Sequence, residues 1–84
     1  MKLPAHRKLK GRNLIGRNLQ RIRYSQDPAI TLDDLVARLE IRGLFLSKST
    51  LSKIENRQRV VLDFEVVEIA EALRVPIMQL YGQK

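Results

Sequence analysis

Apolar residues recur at three- and four-residue spacing along most of the chain, a period that predicts helices rather than strands. Leu14, Ile15, Leu19 and Ile22 form the first stripe, with Arg17, Gln20, Arg21 and Arg23 between them. Asp27-Pro28 predicts its end near Ser25, because the residue before a proline is pushed out of the α-region. Thr31 opens a second helix. Thr31-Leu32-Asp33-Asp34 has capping-box spacing with Asp at the reciprocating position, and two acids stand at the positive end of the helix dipole. Leu32, Leu35, Val36 and Leu39 supply its apolar face, and Gly43 ends it. Residues 41–46 form an apolar connection expected to lie on the core, since free Leu-Phe-Leu in water is costly.

Ser47 is the expected N-cap of a third helix running to Glu55 or Asn56. Leu51 and Ile54 then point inward, and Lys48, Ser49, Ser52 and Lys53 point outward. Asp63 is the expected cap of a fourth helix, reinforced by Glu65, with Phe64, Val67, Ala70 and Leu73 as its buried face. Pro76 is placed to start a short fifth helix anchored by Ile77, Leu80 and Tyr81 before Gly82. Residues 1–12 have Pro4, Gly11, much charge and no period, so they read as a flexible basic arm ahead of one folded domain over 13–84. The expected fold class is all-α, with five helices.

Composition narrows the chemistry. The absence of Cys removes disulfides and thiolate sites, and the single His (His6) excludes a His-rich metal site. No nucleophile–base pair or phosphate loop is visible, and Glu65, Glu68 and Glu71 read as solubilising residues on a solvent face. No enzyme, metal, cofactor or small-molecule ligand is expected. The longest apolar runs have three or four residues, so no membrane span or signal peptide is expected, and a cytoplasmic location is the default.

Charge changes the picture more. The formal net charge is +7, and the excess is unevenly placed. Residues 1–24 hold Lys2, Arg7, Lys8, Lys10, Arg12, Arg17, Arg21 and Arg23 with no acid. Residues 47–61 hold Lys48, Lys53, Arg57 and Arg59 against Glu55 alone. The segments between and after them are net acidic. Two basic blocks alternating with acidic ones predict one side turned to a polyanion.

Two short helices joined by a connection, the second capped by Ser and polar outside, have a helix-turn-helix arrangement. Thr31-x-x-x-Leu35, Ser47-x-x-x-Leu51-Ser52-x-Ile54-Glu55-Asn56, Asp63-Phe64-Glu65 and Ile69-Ala70-x-x-Leu73-x-Val75-x-x-x-x-Leu80 follow in that order. Together they resemble the phage-repressor, Cro-type helix-turn-helix family over roughly Ile15 to Tyr81. The resemblance implies a five-helix, lambda-repressor-like DNA-binding domain, usually dimeric, whose third helix enters the major groove. Lys48, Ser49 and Lys53 correspond to base-facing positions, and Ser52 is a further candidate on that face. Lysine donates to guanine O6 and N7, and serine bonds more than one base edge.

Thr31, Asn56, Arg57 and Arg59 correspond to phosphate-contacting positions. At Thr31 the neighbouring Asp33 and Asp34 would repel the same phosphate, and Leu32 stands where the family commonly has Gln. Asn56 is alternatively a simple C-cap. The family usually has Gly at the position of Arg57, so either Asn56 takes the left-handed conformation instead or the turn is built differently. Arg23 and Glu55 correspond to a charged pair tying the first helix to the end of the third, expected to be partly buried.

The connection over residues 40–46 is longer than in the commonest members, with Leu44 and Leu46 expected inward and Phe45 exposed as a candidate partner surface. The arm either follows a DNA groove or is a solvated tail. The function implied is a sequence-specific DNA-binding transcription regulator acting on double-stranded DNA as a homodimer, with contacts from Val75, Ile77, Met78 and Tyr81. The alternative is a protein-interaction module, antitoxin-like or adaptor, on the same fold.

Overall fold

The computed structural model describes residues 11–82, which form five helices and no strand. They are α1 (Gly16–Ser25), α2 (Leu32–Ile41), α3 (Lys48–Glu55), α4 (Asp63–Leu73) and α5 (Ile77–Leu80). The arm expected over residues 1–12 lies outside the described residues up to position 10. Gly11 and Arg12 belong to the folded part, because the Arg12 N–H donates to the Arg57 carbonyl at 2.8 Å.

The caps of α2 and α3 are local devices and form as the sequence predicts. The Thr31 hydroxyl accepts from the Asp34 N–H at 3.0 Å, and the Asp34 carboxylate accepts from the Thr31 N–H at 3.1 Å. The Ser47 hydroxyl accepts from the Thr50 N–H at 3.0 Å and satisfies one orphan donor of α3. Gly43 leaves α2 at φ +87°, a conformation that favours glycine.

Fourteen apolar side chains close a single core, among them Leu19 of α1, Leu35 and Leu39 of α2, Leu51 and Ile54 of α3, Ile69 of α4 and Leu80 of α5, all fully buried. Every helix therefore contributes to one core, and α3 is held against it by α1 on one side and α2 on the other. Among the described residues no helix is long and apolar enough to cross a membrane.

Four expectations need correction. α4 is capped from Leu62, not Asp63: the Glu65 carboxylate reaches back to accept the Leu62 N–H at 2.9 Å. Its buried face is Val66, Ile69, Ala70 and Leu73, whereas Phe64 and Val67 are exposed. Phe64 and Val67 place apolar side chains among the acids of α4 as well as opposite them, so the 3.6-residue period fits more than one face and packing chooses between them. In the α2–α3 connection Leu46 is buried, Leu44 half-buried and Phe45 76% exposed, as expected, but Ile41 is 87% exposed and does not lie on the core. Leu80 anchors α5, while Ile77 and Tyr81 are 40% and 45% exposed.

Candidate nucleic-acid interface

At 100° per residue Lys48, Ser49, Ser52, Lys53 and Asn56 fall within an arc of about 140° on α3. The opposite arc carries Leu51 and Ile54, both buried, and Glu55, also buried, borders the strip on the Lys48 side. Core packing thus fixes the rotation of the helix about its axis. Lys48, Ser49, Lys53 and Asn56 are exposed and Ser52 is half-buried. The structure brings the four expected base-facing residues onto one outward strip that holds two cations and two hydroxyls. Lys48 is not alone there: its Nζ lies 3.5 Å from an Asp33 carboxylate oxygen at the start of α2.

Beneath the strip, Arg23 and Glu55 form the expected pair, more deeply than expected. Arg23 Nε donates to Glu55 Oε2 at 2.7 Å and Nη2 to Oε1 at 3.0 Å, with side chains 5% and 4% exposed. The remaining Nη1 donates to the Ile30 carbonyl at 2.8 Å, and the guanidinium carbon sits 4.7 Å from the Tyr24 ring centroid. The hydrogen bonds that Arg23 donates to Glu55 hold its pKa above the ordinary arginine value, although burial works in the opposite direction. The one acid of this basic block is consequently occupied inside the protein and adds no free negative charge to the strip.

Comparison with protein-family models, curated proteins and solved structures finds no match.

The expected phosphate contacts divide. Asn56 is the C-cap of α3, exposed, with an ordinary φ of −85°. Arg57, not Asn56, takes the left-handed conformation, at φ +60°. This departs from the first alternative, and the reason is tertiary: Arg57 Nε donates to the Asn13 carbonyl at 2.9 Å, and its own carbonyl receives Arg12. Arg59 is turned into the fold as well. Its Nη1 and Nη2 donate to the two Glu65 oxygens at 3.0 and 3.1 Å. Glu65 is 3% exposed, so it is a buried partner and not the solubilising residue that its spacing implied. Arg59 holds its carboxyl below the usual glutamate range against the effect of burial, and Leu62 assists through its N–H. A cation already neutralised in this way has little left for a phosphate.

Thr31 is a closed cap and not an open anion seat. Asp34 occupies its N–H, and that bond, followed by the one from the Thr31 hydroxyl, lowers the Asp34 pKa.

Two residues that fix the strip were not singled out from the sequence. Asn13 accepts the Ile15 and Gly16 N–H groups at 3.1 and 2.8 Å with its oxygen, and donates through Nδ2 to the carbonyls of Ile54 at 3.0 Å and Arg59 at 2.8 Å. It joins the start of α1 to the end of α3. Gly16 allows this approach, since a Cβ there would collide with the Ile54 carbonyl. An Asn three residues ahead of a helix start, followed by a glycine at that start, is a faint signal that local reasoning passes over.

Proposed function

We propose that the chain is a sequence-specific DNA-binding regulator of the Cro-type, lambda-repressor-like helix-turn-helix class, with α2 and α3 as the paired helices and α3 read into the major groove. The observation that carries this reading is the outward strip on α3. Lys48, Ser49 and Lys53 stand exposed with Ser52 beside them, on a helix whose other side is locked into the core by Leu51 and Ile54. Their donors match guanine O6 and N7, and the serine hydroxyls can follow several base edges. Asn56 and the exposed Arg17 and Arg21 of α1 are the candidates for flanking phosphates. Arg57 and Arg59 act mainly by shaping the turn after α3.

A symmetric dimer would set two such helices about 34 Å apart, in successive major grooves. Ile77, Met78 and Tyr81, 40%, 52% and 45% exposed near the end of the chain, offer the apolar surface for it. A second reading, a protein-interaction module on the same scaffold, draws support from Ile41 and Phe45, the most exposed large apolar side chains among the described residues.

Fluorescence anisotropy with random duplex DNA separates the two readings. The expected result is tight binding at low salt that weakens linearly on a logarithmic salt axis. Replacing Lys48 and Lys53 together by Ala should cut affinity at least tenfold and flatten the salt slope by about 2, with melting temperature unchanged. A protein that ignores DNA even at low salt sinks the proposal and favours the protein-binding alternative.

A further inference from the structure

Asp33 is out of place on a surface meant for a polyanion. The capping box of α2 is closed by Asp34, which uses its carboxylate on the Thr31 N–H and gives its own N–H to the Thr31 hydroxyl. Asp33 takes no part in that cap. Its side chain is 75% exposed, and one carboxylate oxygen lies 3.5 Å from Lys48 Nζ, which is itself 62% exposed. A donor and an acceptor are therefore presented side by side, one from each of the two paired helices, at the leading end of the α3 strip.

That arrangement has a complement in the major groove. A G·C pair offers guanine O6 and N7 as acceptors and, adjacent to them, the cytosine N4 amino group as a donor. Guanine O6 and cytosine N4 are hydrogen-bonded to each other, about 2.9 Å apart. A cation and a carboxylate oxygen at 3.5 Å span nearly the same interval. No other base pair places an acceptor pair and an amino donor in that order. A·T offers adenine N7 and N6 and then the thymine O4 acceptor and methyl, so the carboxylate would face O4 or the methyl.

We infer that the Lys48–Asp33 pair reads one G·C base pair, Lys48 donating to guanine O6 or N7 and Asp33 accepting from N4 of the cytosine paired with that guanine. The inference rests on the DNA-binding reading above and adds to it a specificity-determining residue outside α3. Asp33 contributes little to overall affinity, because its charge opposes every phosphate nearby; its effect is on which sequence is chosen.

The test is selection of bound duplexes from a random pool by the full chain, by Asp33→Ala and by Lys48→Ala, with melting curves to show that each variant folds. The wild type should recover a consensus with an invariant G·C at one position. Asp33→Ala should bind random DNA as tightly as the wild type or tighter, while its preference at that one position falls about tenfold and the others stand. Lys48→Ala should lose preference at the same position. An Asp33→Ala consensus identical to that of the wild type overturns this inference and leaves the DNA-binding reading intact. A wild type that binds no DNA overturns both. Loss of preference at different positions in the two variants overturns the shared base pair.

Discussion

Glu55 lies on the helix that carries the cationic strip, one heptad from Lys48, and yet is buried, because the Arg23 guanidinium meets it there with two hydrogen bonds. Exchange of its carboxylate for a neutral amide leaves the shape and strands a buried cation. Glu55→Gln should therefore cost about 3–5 kcal/mol, the usual result of removing one partner from a buried pair. Urea unfolding checks this, and an unchanged midpoint would mean that Ile30 and Tyr24 satisfy Arg23 without help. Arg74 presents the opposite case. It ends α4 at φ +61° with an exposed side chain, in a region that costs a non-glycine residue about 1–2 kcal/mol. Arg74→Gly relieves that strain but loosens the unfolded chain, so the net gain should be about 0.5–1 kcal/mol, a rise of several degrees in melting temperature. A lower melting temperature would show that the Arg74 side chain holds something in place. Arg57 has the same backbone angle, but its Nε bond to Asn13 would be lost with the side chain, so glycine should help less there.

The elements were legible in the sequence where their signals were local. Thr31 and Ser47 cap their helices within three residues of themselves, and Leu51 and Ile54 set the face of α3, so the strip from Lys48 to Lys53 followed directly. The buried face of α4 is not legible in the sequence, because Phe64, Val66, Val67 and Ile69 all satisfy a helical period and the choice among them depends on what packs against the helix. Arg59 and Glu65 lie six residues apart across a turn, and Asn13 meets residues more than forty positions away. No local pattern encodes such pairings. The Arg59–Glu65 pair gives the start of α4 a measurable pH dependence. The Glu65 pKa is lowered in the folded chain, chiefly by its hydrogen bonds from Arg59, so at acid pH the unfolded chain takes up its proton first. Its stabilisation is complete above the ordinary glutamate value of 4.5 and is lost as pH falls through the lower folded value. Asp34 shifts in the same direction and adds to the acid limb. Thermal unfolding from pH 7 to 2 should be level above about pH 5 and fall below it. In Glu65→Gln the fall should be shallower; a limb as steep as in the wild type would place its origin elsewhere.

Across the whole molecule, internal pairing decides which cations remain to meet a polyanion. Arg23, Arg42 and Arg59 each contact a carboxylate within the fold, and Lys48 is shared with Asp33. The formal charge of +7 therefore says less about the side proposed to face DNA than about where the surplus is carried. Lys2, Arg7, Lys8 and Lys10 make up a large part of that surplus within ten residues that contain no acid. If the chain neutralises about six phosphates, the slope of log affinity against log salt is near −5. Four of those contacts would then be available from the first ten residues, and removing residues 1–10 should flatten the slope by about 3 to 4. The cut belongs after Lys10, because Arg12 is bonded to Arg57 and Gly11 lies against the Arg57 side chain. A cut after Arg12 would disturb the turn behind α3 and confuse loss of charge with loss of shape. Unchanged melting with a flatter slope would show the arm on the phosphates. An unchanged slope would leave Lys48, Lys53, Arg17 and Arg21 to carry the electrostatic attraction from the folded domain itself.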